Sequence, residues 1–182
     1  MNGRSSEYPI QPYILNRWSP RAMTGEEMTD SELMPLFEAA RWAPSSYNAQ
    51  PWKFLYAKRN TVHWNIFFNL LTSFNQSWTA KASCLVIVLS KIDRKTHSYD
   101  TGAAWVSLAF EGNARGYVVH GMEGFDYDRA KKDLKIPATY QVEAMIAIGK
   151  KAPKETLSKD LQAKEIPSSR VPLQAILQEG SF

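Results

Sequence analysis

The chain has 182 residues, 44% of them hydrophobic, which suffices for one domain with a sizeable core. Its 22 basic residues stand against 18 acidic ones, and the excess of +4 is scattered in runs no longer than pairs such as Lys131-Lys132 and Lys150-Lys151. That distribution excludes a basic stripe for nucleic acid, and no apolar run reaches the roughly 18 residues of a membrane span.

The amino-terminal stretch 1–6 lacks the apolar core of a signal peptide, and the single cysteine, Cys84, has no partner for an intrachain disulfide, so the expected setting is cytoplasmic. His63, His97 and His120 are far apart and neither His-x-x-x-His nor Cys-x-x-Cys occurs, so no metal site is expected. The 6 Trp, 8 Tyr and 8 Phe exceed what a minimal core needs, which points to aromatic surface facing a partner or ligand.

Taken along the chain, Thr29-Asp30-Ser31-Glu32 has the form of a capping box, and Leu33, Leu36, Phe37 and Ala40 continue at helical spacing to a stop at Pro44. Pro35 predicts a kinked or late first turn. Residues 53–57 read as a strand, with Phe54 and Tyr56 on one side and Leu55 on the other. The apolar and aromatic stretch 62–74 reads as one helix whose wide face meets another subunit. Residues 84–90 form the clearest buried strand, and Cys84 at its start behaves as a small hydrophobe.

A core helix over 101–115 follows, with Ala104, Trp105, Leu108, Ala109 and Gly112 at steps of one to four residues. Then come a short strand over 117–120, a helix capped by Asp126 and running to 134, and a strand over 142–148. The last thirty or so residues, rich in Lys, Pro, Ser and Gln, read as an arm with Leu173, Ile176 and Leu177 as anchors. The whole of 1–182 is therefore expected to be a single domain, α+β in class, with a largely antiparallel central sheet covered by helices. No Gly-x-Gly-x-x-Gly, phosphate loop or nucleophile elbow is present, which removes the dinucleotide fold and serine hydrolases.

Two segments carry chemistry. In Pro44-Ser45-Ser46-Tyr47-Asn48-Ala49-Gln50-Pro51 the prolines restrict the backbone, while Ser45, Ser46, Asn48 and Gln50 offer donors and acceptors that a rigid loop can aim at one ligand; the alternative is an ordinary polar turn. In Arg17-Trp18-Ser19-Pro20-Arg21 two guanidinium groups flank a hydroxyl. Each can give parallel, charge-assisted bonds to a phosphate or a carbonyl edge; the alternative is a solvated basic turn.

This pairing, followed in order by Asn75 and Trp78, Gly121-Met122-Glu123-Gly124-Phe125 and Ser168-Ser169-Arg170-Val171-Pro172-Leu173, closely resembles the flavin-dependent nitroreductase family over nearly the whole chain. The resemblance implies a three-layer sandwich and a homodimer with FMN at the subunit interface, the arm over about 152–182 wrapping the partner. Arg17, Ser19 and Arg170 would hold the phosphate, with Trp18 beside them, and Arg21 and Asn75 would face the pyrimidine edge of the ring. The segment from Pro44 to Gln50, chiefly Ser45, Ser46 and Asn48, would reach the cofactor from the neighbouring subunit. The turn Met122-Glu123-Gly124 would bring backbone N–H groups to flavin N5 and O4.

The flavin carries the chemistry in this reading, so no side chain is expected to be catalytic. The implied activity is ping-pong hydride transfer from NADPH or NADH, through FMN, to a nitroaromatic, quinone or similar small acceptor. The alternative is a non-catalytic flavin-binding, storage or sensor protein. Two positions depart from the family pattern: Ser168 stands where a lysine is frequent, and Trp78 where a basic residue can follow Asn75. Fewer cations near the ring would make the reduced flavin a stronger donor. The short segment 102–116 leaves little room for the helical excursion that covers the substrate in some relatives, so the substrate stays open.

Overall fold

Two helices precede the sheet in the computed structural model, which describes residues 4–182; the first three positions of the expected domain and of its amino-terminal stretch lie outside the described residues. Helix α1 (Pro12–Asn16) opens on a proline, whose missing N–H falls among the amides a first turn leaves unpaired. Helix α2 (Asp30–Arg41) starts on the capping box: Glu32 N donates to Thr29 Oγ1 at 3.3 Å and Thr29 N to the Glu32 carboxylate at 2.8 Å. Pro35 lies inside α2, and the turn before it is regular, with Leu33 N donating to Thr29 O at 3.0 Å. The helix thus starts on time.

Strand β1 (Trp52–Lys58) alternates as expected. Phe54 and Tyr56 pack on Phe37 of α2, and Leu55 on the opposite side of the sheet. The single helix expected over 62–74 is instead two, α3 (Trp64–Phe68) and α4 (Ser73–Thr79). Tertiary pairing overrides helical continuity here: Asp126 N donates to Leu70 O at 2.8 Å, Thr72 N donates to Gly124 O at 3.1 Å, and Thr72 caps α4. This break sets Asn75 one turn into α4, beside Gly124.

Strand β2 (Cys84–Lys91), helix α5 (His97–Ala114), strand β3 (Tyr117–Met122), helix α6 (Tyr127–Asp133) and strand β4 (Tyr140–Lys150) complete the sheet and its layers. The four strands run in the order β1-β2-β4-β3, every neighbouring pair antiparallel. Cys84, Val86, Val88, Ile146 and Ile148 face α2 and α5, while Leu85, Ile87, Leu89, Met145 and Ala147 face the α3, α4 and α6 side. Val142 shares the face of Met145 because the register slips at Glu143, opposite Val88 and Leu89, and a one-residue slip reverses side-chain parity. The result is the expected α+β three-layer sandwich.

Where α5 crosses the sheet, a Cβ on Gly112 would sit 2.3 Å from Val119 Cγ2, so only glycine permits this approach. After β4 the chain pairs with the segment before α2: Met23 bridges Lys151 and Ala152 N donates to Ala22 O at 3.0 Å. It then forms α7 (Lys159–Lys164) and runs on as an arm, on which Leu173 is partly buried and Val171, Ile176 and Leu177 are exposed.

Candidate functional site

Arg17, Trp18, Ser19 and Arg21 lie between α1 and the bridge at Met23, and they line a cavity of about 300 Å³. His120 from β3 closes one side, and Lys164 and Ser168 reach it from the arm. Arg4 joins from the amino-terminal segment. Its Nη1 donates to Arg17 O at 2.7 Å and Leu15 O at 3.3 Å, and its Nε to Ser168 O at 2.8 Å, so one guanidinium ties both ends of the chain together. Arg17 Nη1 donates to Ser19 Oγ at 3.4 Å, and Arg170 Nη1 to Ser168 Oγ at 3.1 Å.

Burial first, and then the charge of Arg170, hold the Arg4 and Arg17 pKa values below the usual arginine value; Arg17 also feels Arg4. Cations gathered close enough to disfavour one another make a place where an anion is stabilised.

Arg21 sits at the other end of the cavity, beside Glu165 at the end of α7. Arg21 N and Ala22 N donate to Glu165 Oε1 at 2.7 and 2.9 Å. Arg21 Nη1 lies 4.0 Å from Glu165 Oε2, and both Arg21 Nε and Glu165 Oε2 are buried without a hydrogen-bond partner. His120 Nδ1 lies 2.9 Å from Pro20 O, and since a carbonyl only accepts, Nδ1 carries the proton. Burial is the main cause that pushes the His120 pKa below its ordinary value, with Arg21 adding to it and the Pro20 carbonyl opposing. At neutral pH the ring is uncharged, and it packs on Trp78 at 4.6 Å between centroids.

The Arg21 guanidinium lies over the other part of this cluster, 5.8 Å from the Trp78 ring. Trp78 Nε1 donates to Asn75 Oδ1 at 3.2 Å, and Asn75 Nδ2 donates to Gly124 O at 3.0 Å. A Cβ on Gly124 would stand 2.6 Å from that nitrogen, which accounts for glycine there. Arg17, Ser19, Arg21, Asn75 and Gly124 therefore belong to one connected site, Arg170 stands at its edge, Met122 is buried beneath the turn, and Glu123 is exposed.

The other motif lies elsewhere. Ser46 N donates to Asp100 Oδ2 at 3.2 Å at the start of α5, whereas Asn113 Nδ2 donates to Trp18 O at 3.3 Å at its end. These anchors are separated by about 20 Å of helix at 1.5 Å per residue. The loop is tightly specified: Gln50 N donates to Ser45 Oγ at 3.0 Å, and Tyr47, Asn48 and Gln50 hold left-handed φ values of 52°, 54° and 48°. Pro44 and Asn48 are exposed, as is Tyr47 at 90%. A single chain thus does not bring Pro44, Ser45, Ser46, Asn48 and Gln50 to its own cavity.

Arg4, Lys164 and Glu165 are absent from the sequence reading. They lie in segments with no motif, and only the folded arm brings Glu165 back to Arg21, 144 residues away. Among the described residues, no three His, Cys, Asp or Glu side chains cluster as a metal site would need, and no helix is long and apolar enough to cross a membrane.

Residues 14–63, which span both motifs, match the sequence model of the nitroreductase family. An oxidoreductase containing FMN is 44% identical and superposes with a TM-score of 0.97 over 100% of this chain and 97% of its own. A protein described as a nitroreductase in complex with FMN, from Desulfovibrio desulfuricans, is 25% identical with a TM-score of 0.76, over 97% and 99% of the two chains. Protein DrgA of Synechocystis is 27% identical over 82% of this chain and 85% of its own length. Joined to the connected Arg17-to-Gly124 site and the antiparallel three-layer fold, these likenesses settle the assignment: the chain belongs to the nitroreductase family.

Proposed function

We propose that this protein is an FMN-dependent oxidoreductase that draws electrons from NADPH or NADH and works as a homodimer. The observation that carries the reading is the cavity itself. Arg4, Arg17, Arg21 and Lys164 converge on it with the hydroxyls of Ser19 and Ser168, no acidic side chain lines it among the described residues, and Glu165 lies behind it on the backbone of Arg21 and Ala22. The donor set fits the cofactor: the Arg17 end is rich in cations that repel one another, as a phosphate site requires, and Arg21 retains a buried Nε with no acceptor.

In this reading Arg17 and Ser19, with Arg170, hold the phosphate, and Arg21 meets the pyrimidine edge. Asn75 spends one amide N–H and its oxygen inside the chain, so its main task is to fix the Gly124 carbonyl and hence the course of the Met122-Glu123-Gly124 turn. When bound, FMN would supply the two-electron chemistry that links a nicotinamide donor to a nitroaromatic, quinone or similar acceptor. His120 Nδ1 is engaged by Pro20 and the ring packs on Trp78, so His120 supports the wall of the site.

The roughly 20 Å of α5 between loop and cavity supports the dimer: a second copy is what brings Ser45, Ser46 and Asn48 to the cofactor. Exposed Ile10, Ile14, Val171, Ile176 and Leu177 on the two arms supply apolar surface for that contact. The cytoplasm, where the lone Cys84 stays reduced, suits the same reading.

The test is the visible spectrum of the purified protein, extraction of its chromophore, and bleaching by NADPH or NADH with reoxidation by a quinone or nitroaromatic. Yellow protein that resists both donors is a flavin-storage protein instead. Arg17→Ala should weaken FMN binding about 10- to 100-fold and leave riboflavin binding unchanged, as loss of a charged hydrogen bond to phosphate requires. Equal losses for both flavins would show that Arg17 does not hold the phosphate, and a colourless monomer that takes up no FMN would overturn the whole reading.

A further inference from the structure

The carboxylate of Glu165 is not accounted for by the cofactor reading. Its side chain is 4% exposed, yet one of its oxygens has no hydrogen-bond partner. The other oxygen accepts from Arg21 N and Ala22 N at 2.7 and 2.9 Å, so the group is fixed to the backbone that carries Arg21. Oε2 then stands 4.0 Å from Arg21 Nη1, inside the range of an ion pair but beyond a hydrogen bond, with Arg21 Nε also lacking an acceptor. A pair meant only to stabilise the fold would close that gap, because a buried charge left half-satisfied is unfavourable. The guanidinium is instead kept back from its counter-charge, leaving donors for something else in the cavity.

We propose that Glu165 is a positioning residue that sets the reduction potential of the bound flavin: it aims Arg21 and, by its fixed negative charge, offsets that guanidinium's pull on the reduced cofactor. The inference rests on the proposed function, in which Arg21 meets the pyrimidine edge. Two-electron reduction leaves negative charge on that edge, and a lone arginine there favours the reduced form. A buried carboxylate 4.0 Å from the arginine acts the other way. One further feature of this chain acts in the same direction. Trp78, an uncharged ring, stands under Arg21, and its indole N–H is turned away to Asn75. The reduced flavin is thereby made a stronger donor, suited to acceptors that are hard to reduce.

The experiment compares the two-electron midpoint potential of the FMN-loaded wild type, Glu165→Gln and Glu165→Asp, by dye-equilibrated spectral titration. Glutamine keeps an oxygen for Arg21 N and Ala22 N but removes the charge. Glu165→Gln should favour reduced over oxidised FMN by about tenfold more than wild type, a shift of about +30 mV for a two-electron couple. Glu165→Asp, which retains the charge, should stay closer to wild type. Arg21→Gln against Arg21→Gln/Glu165→Gln gives the same comparison with the pair removed together, should the single glutamine variant not fold. A potential that does not rise on removing the Glu165 charge in either background overturns the inference and leaves the FMN reading standing. Failure of the wild type to hold FMN at all strikes that reading instead.

Discussion

Asn75→Asp changes one NH₂ to an oxygen at the point where the cavity meets the Gly124 turn. The orientation of the wild-type amide is dictated by its partners: the Trp78 indole only donates and the Gly124 carbonyl only accepts, so Oδ1 must face the first and Nδ2 the second. An aspartate keeps the acceptor for Trp78 but places its second oxygen 3.0 Å from another acceptor. That contact becomes a hydrogen bond only if the carboxyl holds a proton. Asn75 is 7% exposed, so burial adds to the bias, and the folded-state pKa of the new carboxyl must rise above an unfolded value of about 3.9.

The sign follows from which state binds the proton. With the folded pKa raised, the variant is near its best below about pH 4 and loses stability as pH climbs through the folded pKa. A rise of two to three units corresponds to roughly 3–4 kcal/mol by pH 8, or about 6–16 °C in Tm for a chain of this size. Asn75→Ala supplies the control. It leaves the Trp78 N–H unpaired and should be about 2–4 kcal/mol less stable than wild type, with a deficit that does not change with pH. The assay is thermal unfolding of the flavin-free protein followed by circular dichroism at pH 5 and pH 8, each variant read against wild type so that other titrations cancel. A deficit of the Asn75→Asp variant that stays level, or that shrinks towards pH 8, would refute the Nδ2–Gly124 bond as the anchor of this turn.

Burial lowers the folded pKa of His120 below its ordinary 6.5, so the unfolded chain takes the proton first; stability should be full above pH 6.5 and fall below it, and His120→Gln should flatten the Tm profile between pH 6.5 and 5. Two glycines of α5 should answer alanine with opposite signs. Gly102 has nothing within 4 Å of an added Cβ, and Gly102→Ala should gain up to about 1 kcal/mol of helix propensity. At Gly112 the same gain is outweighed by overpacking against Val119 at 2.3 Å, and Gly112→Ala should lose about 1–2 kcal/mol in urea denaturation. Cys84, fully buried with its thiol pushed up to about 12, should not react with a disulfide reagent in native buffer, and labelling should begin only with unfolding; prompt labelling would show the β2 start to be open.

What could be read in the sequence is what depends on near neighbours. The Thr29 capping box, the unbroken apolar run that begins at Cys84 and the Asp126 cap are decided within a few residues, and the structure contains all three as a capped helix, a buried strand and a capped helix. The stretch 62–74 failed as one helix because its break is fixed by bonds to Gly124 and Asp126, partners far along the chain that periodicity does not register. Glu165 was equally hidden. A glutamate after a lysine in a polar arm gives no sign that it will cap the amides of Arg21 and Ala22. The family motifs named Arg17, Ser19, Arg21, Asn75 and Gly124, and they share one site, but their mutual bonds came only with the fold. Asn75 in particular turns inward to Trp78 and Gly124 rather than standing free for a ligand.

The separation of the two motifs bears on why the loop has the shape it has. Left-handed backbone at a residue with a side chain costs about 1 kcal/mol or more, and Tyr47, Asn48 and Gln50 all adopt it. Such strain persists only where surrounding contacts over-determine it: here the buried Asp100 carboxylate receives Ser46 N and Thr96 Oγ1, and Ser45 Oγ receives Gln50 N. Yet this well-fixed loop holds Tyr47 out to solvent at the far end of α5 from the cavity. On the dimer reading the two facts are one, because a loop that must meet a ligand across an interface has to be shaped before the partner arrives. Asp100→Asn keeps an acceptor for Ser46 N and should leave dimer and cofactor affinity within a few-fold of wild type. Asp100→Ala, which frees the loop, should weaken FMN binding about tenfold or more without altering the phosphate-dependent difference between FMN and riboflavin, and an unchanged affinity would separate the loop from the cofactor altogether.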